Sequence, residues 1–379
     1  GNDNTAVGHN ALGANSTGTQ NTAVGAEALD ANTTGDQNSA LGLSALGANT
    51  TGQDNVAIGR AALAANTTAD NNVAVGSGAL VANTTGHSNV GIGHLALNTN
   101  TTQANNTAVG FRALVANSTG SENQALGTYA LTANTTGSNN VAMGYNALGD
   151  NTTASDNTAV GFRALQANTT GTNNTAFGMS TLMVNTTAID NTAIGDYALT
   201  ANTTGAENTA VGAAPLVSNT TGSSNTAFGK YAGFNVTTGS GNTFIGKEAG
   251  DTSTTSSFNT LIGYRSKANS ATGSNQIVIG TGNAALTSGG LTRFTVGDGS
   301  NNSHIALGAT GDWSGTSDER FKKNIKDSNI GLDFITELRP ITYQWKDEGD
   351  IPSWAKNYKE GSTESYRNSK THHGFVAQE

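Results

Sequence analysis

The chain contains no cysteine. That excludes disulfide staples, thiolate metal sites and a cysteine nucleophile, without fixing a compartment. No apolar run approaches the roughly 20 residues that a membrane-crossing helix needs, so no membrane span is expected. Charged residues make up only 12% of the 379 positions, aromatics 6%, and the net charge of -9 is spread thinly. With no basic block to follow a phosphate backbone, nucleic acid is not an expected partner. Proline occurs 3 times, and disordered chains are typically rich in proline and in net charge, so this is not their composition either. There is no initiator Met and no leader-like segment, so the natural N-terminus is expected to lie upstream of Gly1.

What fills the chain is Gly, at 49 positions, with Asn, Thr and Ala. These residues are ordered in a repeat of 17, which decides the fold class before any residue-level reasoning. Units open at Asn4, Asn21, Asn38 and so on to Asn259, giving sixteen units up to Asn275 without an insertion or deletion. A seventeenth begins with "QIVIG" at Gln276 and then breaks, and Gly1 to Asp3 reads as the end of an earlier unit. Position 3 is usually Ala, position 4 is apolar from Val7 to Ile262, and position 5 is Gly from Gly8 to Gly263. Position 9 is Leu through Leu216 and then Gly233, Gly250 and Lys267, while position 12 is Asn through Asn219.

Positions 1 to 5 suit a short β-strand whose alternate side chains face opposite ways. The expectation is that position 4 fills the core, that the fixed Gly marks a bend, a positive φ or a close backbone approach, and that "NTTG" is a turn. The "ALxAN" stretch reads as a short second strand or one helical turn. Such a unit cannot bury a core alone, whereas stacked coils can, with Asn and Thr forming ladders of side-chain hydrogen bonds along the stack. At about 4.8 Å per strand, sixteen coils make a rod about 75 Å long. One slipped residue would throw every ladder out of register, which accounts for the absence of indels. A helical solenoid needs a longer unit, and a calcium-binding β-roll needs "GGxGxD" nonapeptides that are missing. The fold class is therefore an all-β parallel solenoid. Its Ala/Gly face is expected to be covered by another chain or another sheet, the alternative being a thin monomeric roll.

The strings "NTAVG", "NVAIG" and "NTAIG" resemble the "NSVAIG" signature of head domains in trimeric autotransporter adhesins. That resemblance implies parallel β-rolls assembled as trimers. Their unit is shorter than this one.

Three organisational segments are expected: residues 1–275 as the solenoid, 276–316 as a β-rich neck built on "QIVIG", "RFTVG" and "SHIALG", and 317–379 as a charged C-terminal domain. In the last, "IGLDFITELRP" suits a short helix stopped by Pro340 and "ITYQW" a strand. "TSDERFKKNI", "GLDFITELRPITYQW" and "HGFVAQE", in that order, resemble the intramolecular chaperone of phage endosialidase tailspikes and tail fibres. The resemblance implies a small α+β domain that trimerises a β-rich fibre and then cuts itself off. Carried over, the nucleophile is Ser317, the assisting base Lys322 and the bond Thr316–Ser317. It also implies further residues beyond Glu379, so the domain is expected to be incomplete. The chemistry is sound by itself, since a serine hydroxyl becomes nucleophilic when a partly desolvated lysine takes its proton; Lys323 is a competing base. The same residues also read as a capping box, with Thr316 as N-cap and Glu319 reaching back. His372 and His373 are assigned no role.

The function expected is a structural, adhesive fibre, extracellular on a virion or a cell surface. Expected partners are copies of itself, a host cell-surface glycan or protein, and a particle baseplate or cell anchor upstream of Gly1. A bacterial trimeric adhesin is the alternative and an ice-binding solenoid the remoter one. No enzyme acting on an external substrate, no cofactor and no metal are expected, because the repeat holds no carboxylate pair or histidine cluster at fixed positions.

Overall fold

The structure, a computed structural model, describes residues 2–282 and Glu360. It also describes the backbone of residues 293–297, 302–306, 339–343 and 372–376. Sixteen strands of three residues, β1 (Thr5–Val7) through β16 (Thr260–Ile262), recur once per unit. Each pairs in parallel with the strand one unit on, in register: Thr5 lies opposite Thr22, Ala6 opposite Ala23 and Val7 opposite Val24. The same pairing continues into β17 (Gln276–Gly280), with Thr260 opposite Ile277. This is the parallel solenoid that the period of 17 demands. Beyond it, β18 (Arg293–Gly297) pairs in parallel with β17, and β19 (Asn302–Ala306) turns back antiparallel on β18, which places strands on all three neck motifs. The contacts divide the chain into Gly1–Trp313 and Ser314–Glu379. Within the second unit, β20 (Arg339–Tyr343) and β21 (His372–Val376) form an antiparallel pair. The expected helix over "IGLDFITELRP" lies outside the described residues.

The alternation of the strand is as expected, but its two faces are the other way round. Position 3 is inside: Ala23, Ala57 and Ala74 are fully buried, as are Ala28 and Leu29 at positions 8 and 9. Position 4 is outside, with Val7 at 59% exposure and Phe228 at 58%. The reason is the width of the tube. One Leu, two Ala and two Asn per coil already fill it, and even a methyl is tight at position 3. There a Cβ added to Gly91 would meet Leu80 Cγ at 3.2 Å. The small-residue face is thus the core and needs no second chain to cover it.

The "ALxAN" segment is neither strand nor helix but a run of turns. Its Leu at position 9 is left-handed, with φ 52° at Leu29 and 53° at Leu46, and so is position 7, with φ 58° at Glu27. A left-handed residue with a side chain is disfavoured by about 1–2 kcal/mol, and complete burial of the leucine offsets that here. Position 5 requires glycine twice over. At Gly25 φ is +135°, and a Cβ would stand 2.4 Å from the carbonyl oxygen of Gly42 in the next coil.

Two asparagine ladders run along the interior. At position 1, Asn38 donates its backbone N–H to Asn21 Oδ1 at 3.0 Å, and its Nδ2 donates to the Gly52 carbonyl at 2.8 Å. At position 12, Asn49 Nδ2 donates to Asn32 Oδ1 and to the same Gly52 carbonyl, both at 2.9 Å. The threonine of position 13 extends the pattern outward, Thr33 Oγ1 donating to the Thr50 carbonyl at 3.0 Å. Buried amides are tolerated because the coil above and the coil below satisfy them.

Near the end of the array the interior changes. Position 9 becomes Gly233 and Gly250, while position 3 becomes Phe244 and Leu261. Phe244 is fully buried. A Cβ at Gly250 would meet its Cδ1 at 2.2 Å, and one at Gly233 its Cδ2 at 2.8 Å. The bulk that Leu supplied from one wall is supplied by Phe from the other. The position-12 ladder stops here too: Asn219 Oδ1 has no protein partner because Val236 stands in the next coil. The position-1 ladder runs on to Gln276, whose N–H donates to Asn259 Oδ1 at 2.9 Å.

Candidate functional site

The candidate self-cleavage residues, Thr316, Ser317, Lys322 and Lys323, lie outside the described residues. His372 and His373 open strand β21, in register with Tyr343 and Thr342. Among the described residues no group of three or more His, Asp or Glu side chains converges, and no helix is long and apolar enough to cross a membrane.

Three surface features stand out, each set by a position in the unit. The first is the strand face, where positions 2 and 4 point outward. Leu41, Ile58, Ile92, Leu126 and Met143 are 38–50% exposed in spite of neighbours above and below. The periodic sequence guarantees that the row is unbroken, because position 4 is apolar in all sixteen units.

The second is an aromatic row beside it, at positions 6 and 7 of five successive coils. His94 stacks on Phe111 with centroids 5.6 Å apart, Phe111 meets Tyr129 edge-on at 5.4 Å, Tyr129 meets Tyr145 edge-on at 6.1 Å, and Tyr145 stacks on Phe162 at 5.5 Å. The Arg163 guanidinium lies 5.6 Å from the Phe162 ring centroid. Phe111, Tyr145 and Phe162 are 41–48% exposed. Exposed rings beside an arginine offer stacking, cation–π and bidentate hydrogen-bonding contacts, which is recognition chemistry and not catalysis. In sequence, Phe162 and Arg163 are visible only as positions that vary between units; their alignment into a row needs the coil geometry.

The third feature is a cleft of about 350 Å3 where the interior changes, lined by Tyr231, Phe234, Asn235, Glu248, Asp251 and Arg265. Tyr231 and Phe234 meet edge-on at 5.1 Å. Glu248 accepts a charge-assisted hydrogen bond from Arg265 Nε and pairs with Lys247 Nζ at 3.3 Å. The Arg265 hydrogen bond holds the Glu248 carboxyl below the usual carboxylate value, and Glu248 in turn raises the guanidinium. Asp251 pairs with Lys267 at 3.4 Å. The signal for this cleft in the sequence is the loss of Leu at position 9 from Gly233 onward.

Comparison with known proteins bears on the other end of the chain. Residues 317–379 match the family described as the chaperone of endosialidase. The matched segment is that of the three C-terminal motifs, and the solenoid lies outside it. No curated protein and no solved structure gives a significant match.

Proposed function

We propose that the chain is the shaft of a phage tail fibre or tailspike, a homotrimer assembled by its C-terminal segment and displayed outside the cell on a particle. The observation that carries this reading is the match of residues 317–379 to the chaperone of endosialidase, set behind an unbroken rod of sixteen coils. Because the units are nearly alike, three such rods laid side by side can slip by whole coils; a terminal domain that trimerises first supplies the register. The aromatic row from His94 to Phe162 is the surface on this shaft that suits a host glycan or protein, and an upstream segment would join the rod to a baseplate.

The C-terminal segment then releases itself. The Ser317 hydroxyl attacks the Thr316 carbonyl, its proton passing to Lys322; the C–N bond breaks, an ester forms and the Ser317 amine leaves protonated; water hydrolyses the ester. Expression of the full chain, with mass spectrometry and native sizing, tests the whole reading against Ser317→Ala. A fragment ending at Thr316 in the wild type alone, within a trimer, is expected. A monomer with no cut in either version would overturn it.

The strand motif favours a second reading, a bacterial trimeric surface adhesin, since "NTAVG" and its variants resemble adhesin heads. A baseplate-binding segment upstream of Gly1 would support the phage reading and a signal peptide or cell anchor the adhesin. For ice binding the solenoid is poorly suited. The Thr33 type of hydroxyl is engaged across coils, and the Thr residues at position 2 stand beside side chains as large as Phe177 and Phe228. Thermal hysteresis in a solution of the rod would reverse that ranking.

A further inference from the structure

We infer that the strand face, formed by positions 2 and 4 of successive coils, is the surface through which copies of this chain pack on one another, parallel and in register. The inference rests on the self-assembling fibre proposed above and adds which face is used. It reverses the expectation from sequence, in which the alanine face met the partner; that face is inside the coil.

Four observations carry it. First, the face is apolar where it projects most: position 4 is Val, Ile, Leu, Met or Phe in every unit. Val7, Phe177 and Phe228 are 55–59% exposed and the isoleucines Ile58, Ile92, Ile194 and Ile245 are 38–40% exposed. Second, the face has no charge. Position 2 is Thr, Ser, Val or Gln throughout, and no unit places Asp, Glu, Lys or Arg at position 2 or 4. The charges of the array stand elsewhere in the unit, for example Glu27 and Arg163 at position 7 and Asp36 and Asp156 at positions 16 and 17. A face kept neutral while its neighbours are free to carry charge has the composition of an interface centre.

Third, the dimensions fit. Sixteen coils at about 4.8 Å, with a face about 10 Å wide, give about 750 Å2 per copy. That is close to the roughly 800 Å2 per partner of a stable protein interface. Fourth, the occupant must be as long and as periodic as the rod. A second copy meets both requirements at once. In a ring of identical chains all copies run parallel, so each coil faces the same coil of its neighbour and large residues such as Phe177 and Phe228 meet their own equivalents. Sheets packed face to face in this way bury alternating side chains in a layer about 10 Å thick.

The test uses the full chain, sized by light scattering with far-UV circular dichroism as the check on folding. The variant carrying Ile58→Lys, Ile92→Lys and Ile194→Lys is expected to fall to monomer mass with its spectrum retained. A control with Thr51→Lys, Thr85→Lys and Thr187→Lys, exposed residues in the "NTT" turn, is expected to keep the wild-type mass. Retention of the wild-type oligomer by the isoleucine variant would overturn the inference. Because the lysines could prevent folding, a second measurement uses the absence of native cysteine. Ile92→Cys or Phe177→Cys in otherwise wild-type chain is expected to give an interchain disulfide under mild oxidation, whereas Thr85→Cys and Thr187→Cys give none. Crosslinking at the threonines but not at position 4 overturns the choice of face while leaving self-assembly intact. A wild-type chain that is itself monomeric overturns self-assembly, and the interface with it.

Discussion

Asn134 stands at position 12 in the middle of the array, and its replacement by Ala measures what the inner ladder contributes. Its Nδ2 donates to Asn117 Oδ1 and to the Gly137 carbonyl, and its Oδ1 accepts from Asn151 Nδ2, all three at 2.9 Å and all between buried groups. Asn134→Ala deletes the three bonds but does not orphan every partner. The Gly137 carbonyl keeps Asn123 Nδ2 at 2.8 Å, and Asn151 Nδ2 keeps the Ala154 carbonyl at 3.0 Å. Asn117 Oδ1 loses its donor. At about 1 kcal/mol net per bond, with a further 1–3 kcal/mol for one buried acceptor left bare, the loss is about 4–6 kcal/mol. In a stack where each coil touches only its neighbours, that loss is local. Hydrogen exchange read by mass spectrometry is the suitable assay. Backbone protection should collapse in the coils that contain Asn117, Asn134 and Asn151 and persist near Asn38. Thr136→Ala, at an exposed position two residues away, should change nothing measurable. A loss below about 1 kcal/mol, or one spread evenly along the rod, would refute the ladder as a stabilising element.

Glycine positions 5 and 15 should respond to alanine to very different extents although both look crowded. At Gly110 φ is +137° and a Cβ would stand 2.6 Å from the Gly127 carbonyl, so Gly110→Ala should cost at least about 2–3 kcal/mol in chemical denaturation. At Gly171 a Cβ would meet the Ala188 carbonyl at 2.2 Å, yet Ala154 and Ala188 already occupy position 15 while buried; Gly171→Ala should cost under about 1 kcal/mol. Phe244→Ala should lose about 3–5 kcal/mol by opening a cavity, and adding Gly233→Leu with Gly250→Leu should recover part of it, since that restores the Leu-and-Ala interior of the earlier coils. Because the Glu248 carboxyl is held below its usual value by Arg265, its contribution is complete above the ordinary carboxylate pKa. It is lost only as pH falls through the lowered value. Exchange protection around Gly246–Ser266 should therefore weaken on the acid side alone, and Glu248→Gln should remove that dependence.

How much of this was legible in the sequence differs from row to row of the coil. The period, a strand within positions 1 to 5 and the asparagine ladders follow from identity repeated coil after coil, although the strand is only three residues long, at positions 2 to 4: a residue facing its own copy in the next coil must be satisfied by that copy. Which strand face is inside did not follow, because alternation assigns side chains to two faces without saying which is the core. Large apolar side chains at position 4 point to the wrong answer unless the bore of the tube is known, and the bore is set by Leu at position 9. That leucine gave no warning of its left-handed backbone; an Asn or Gly would have, as the Asn and Asp residues at position 17 do, with Asn71 at φ 61° and Asp54 at 55°.

The same geometry explains how one rod can be both uniform and specific. Positions 1, 3, 5, 8 and 12 are locked by contact with the next coil, so a change there is felt as strain or a bare polar group. Positions 6, 7, 10, 11, 16 and 17 face water and carry nearly every charge of the array. Variation is therefore cheap at the rim and dear inside, and the aromatic row from His94 to Phe162 with the cleft at Tyr231 are places where rim residues in neighbouring coils combine. Position 4 belongs to neither group. It faces outward, where sterics would allow any residue, and still it is apolar sixteen times in succession. A restriction that the single coil does not impose has to come from something outside it, with the same length and the same repeat.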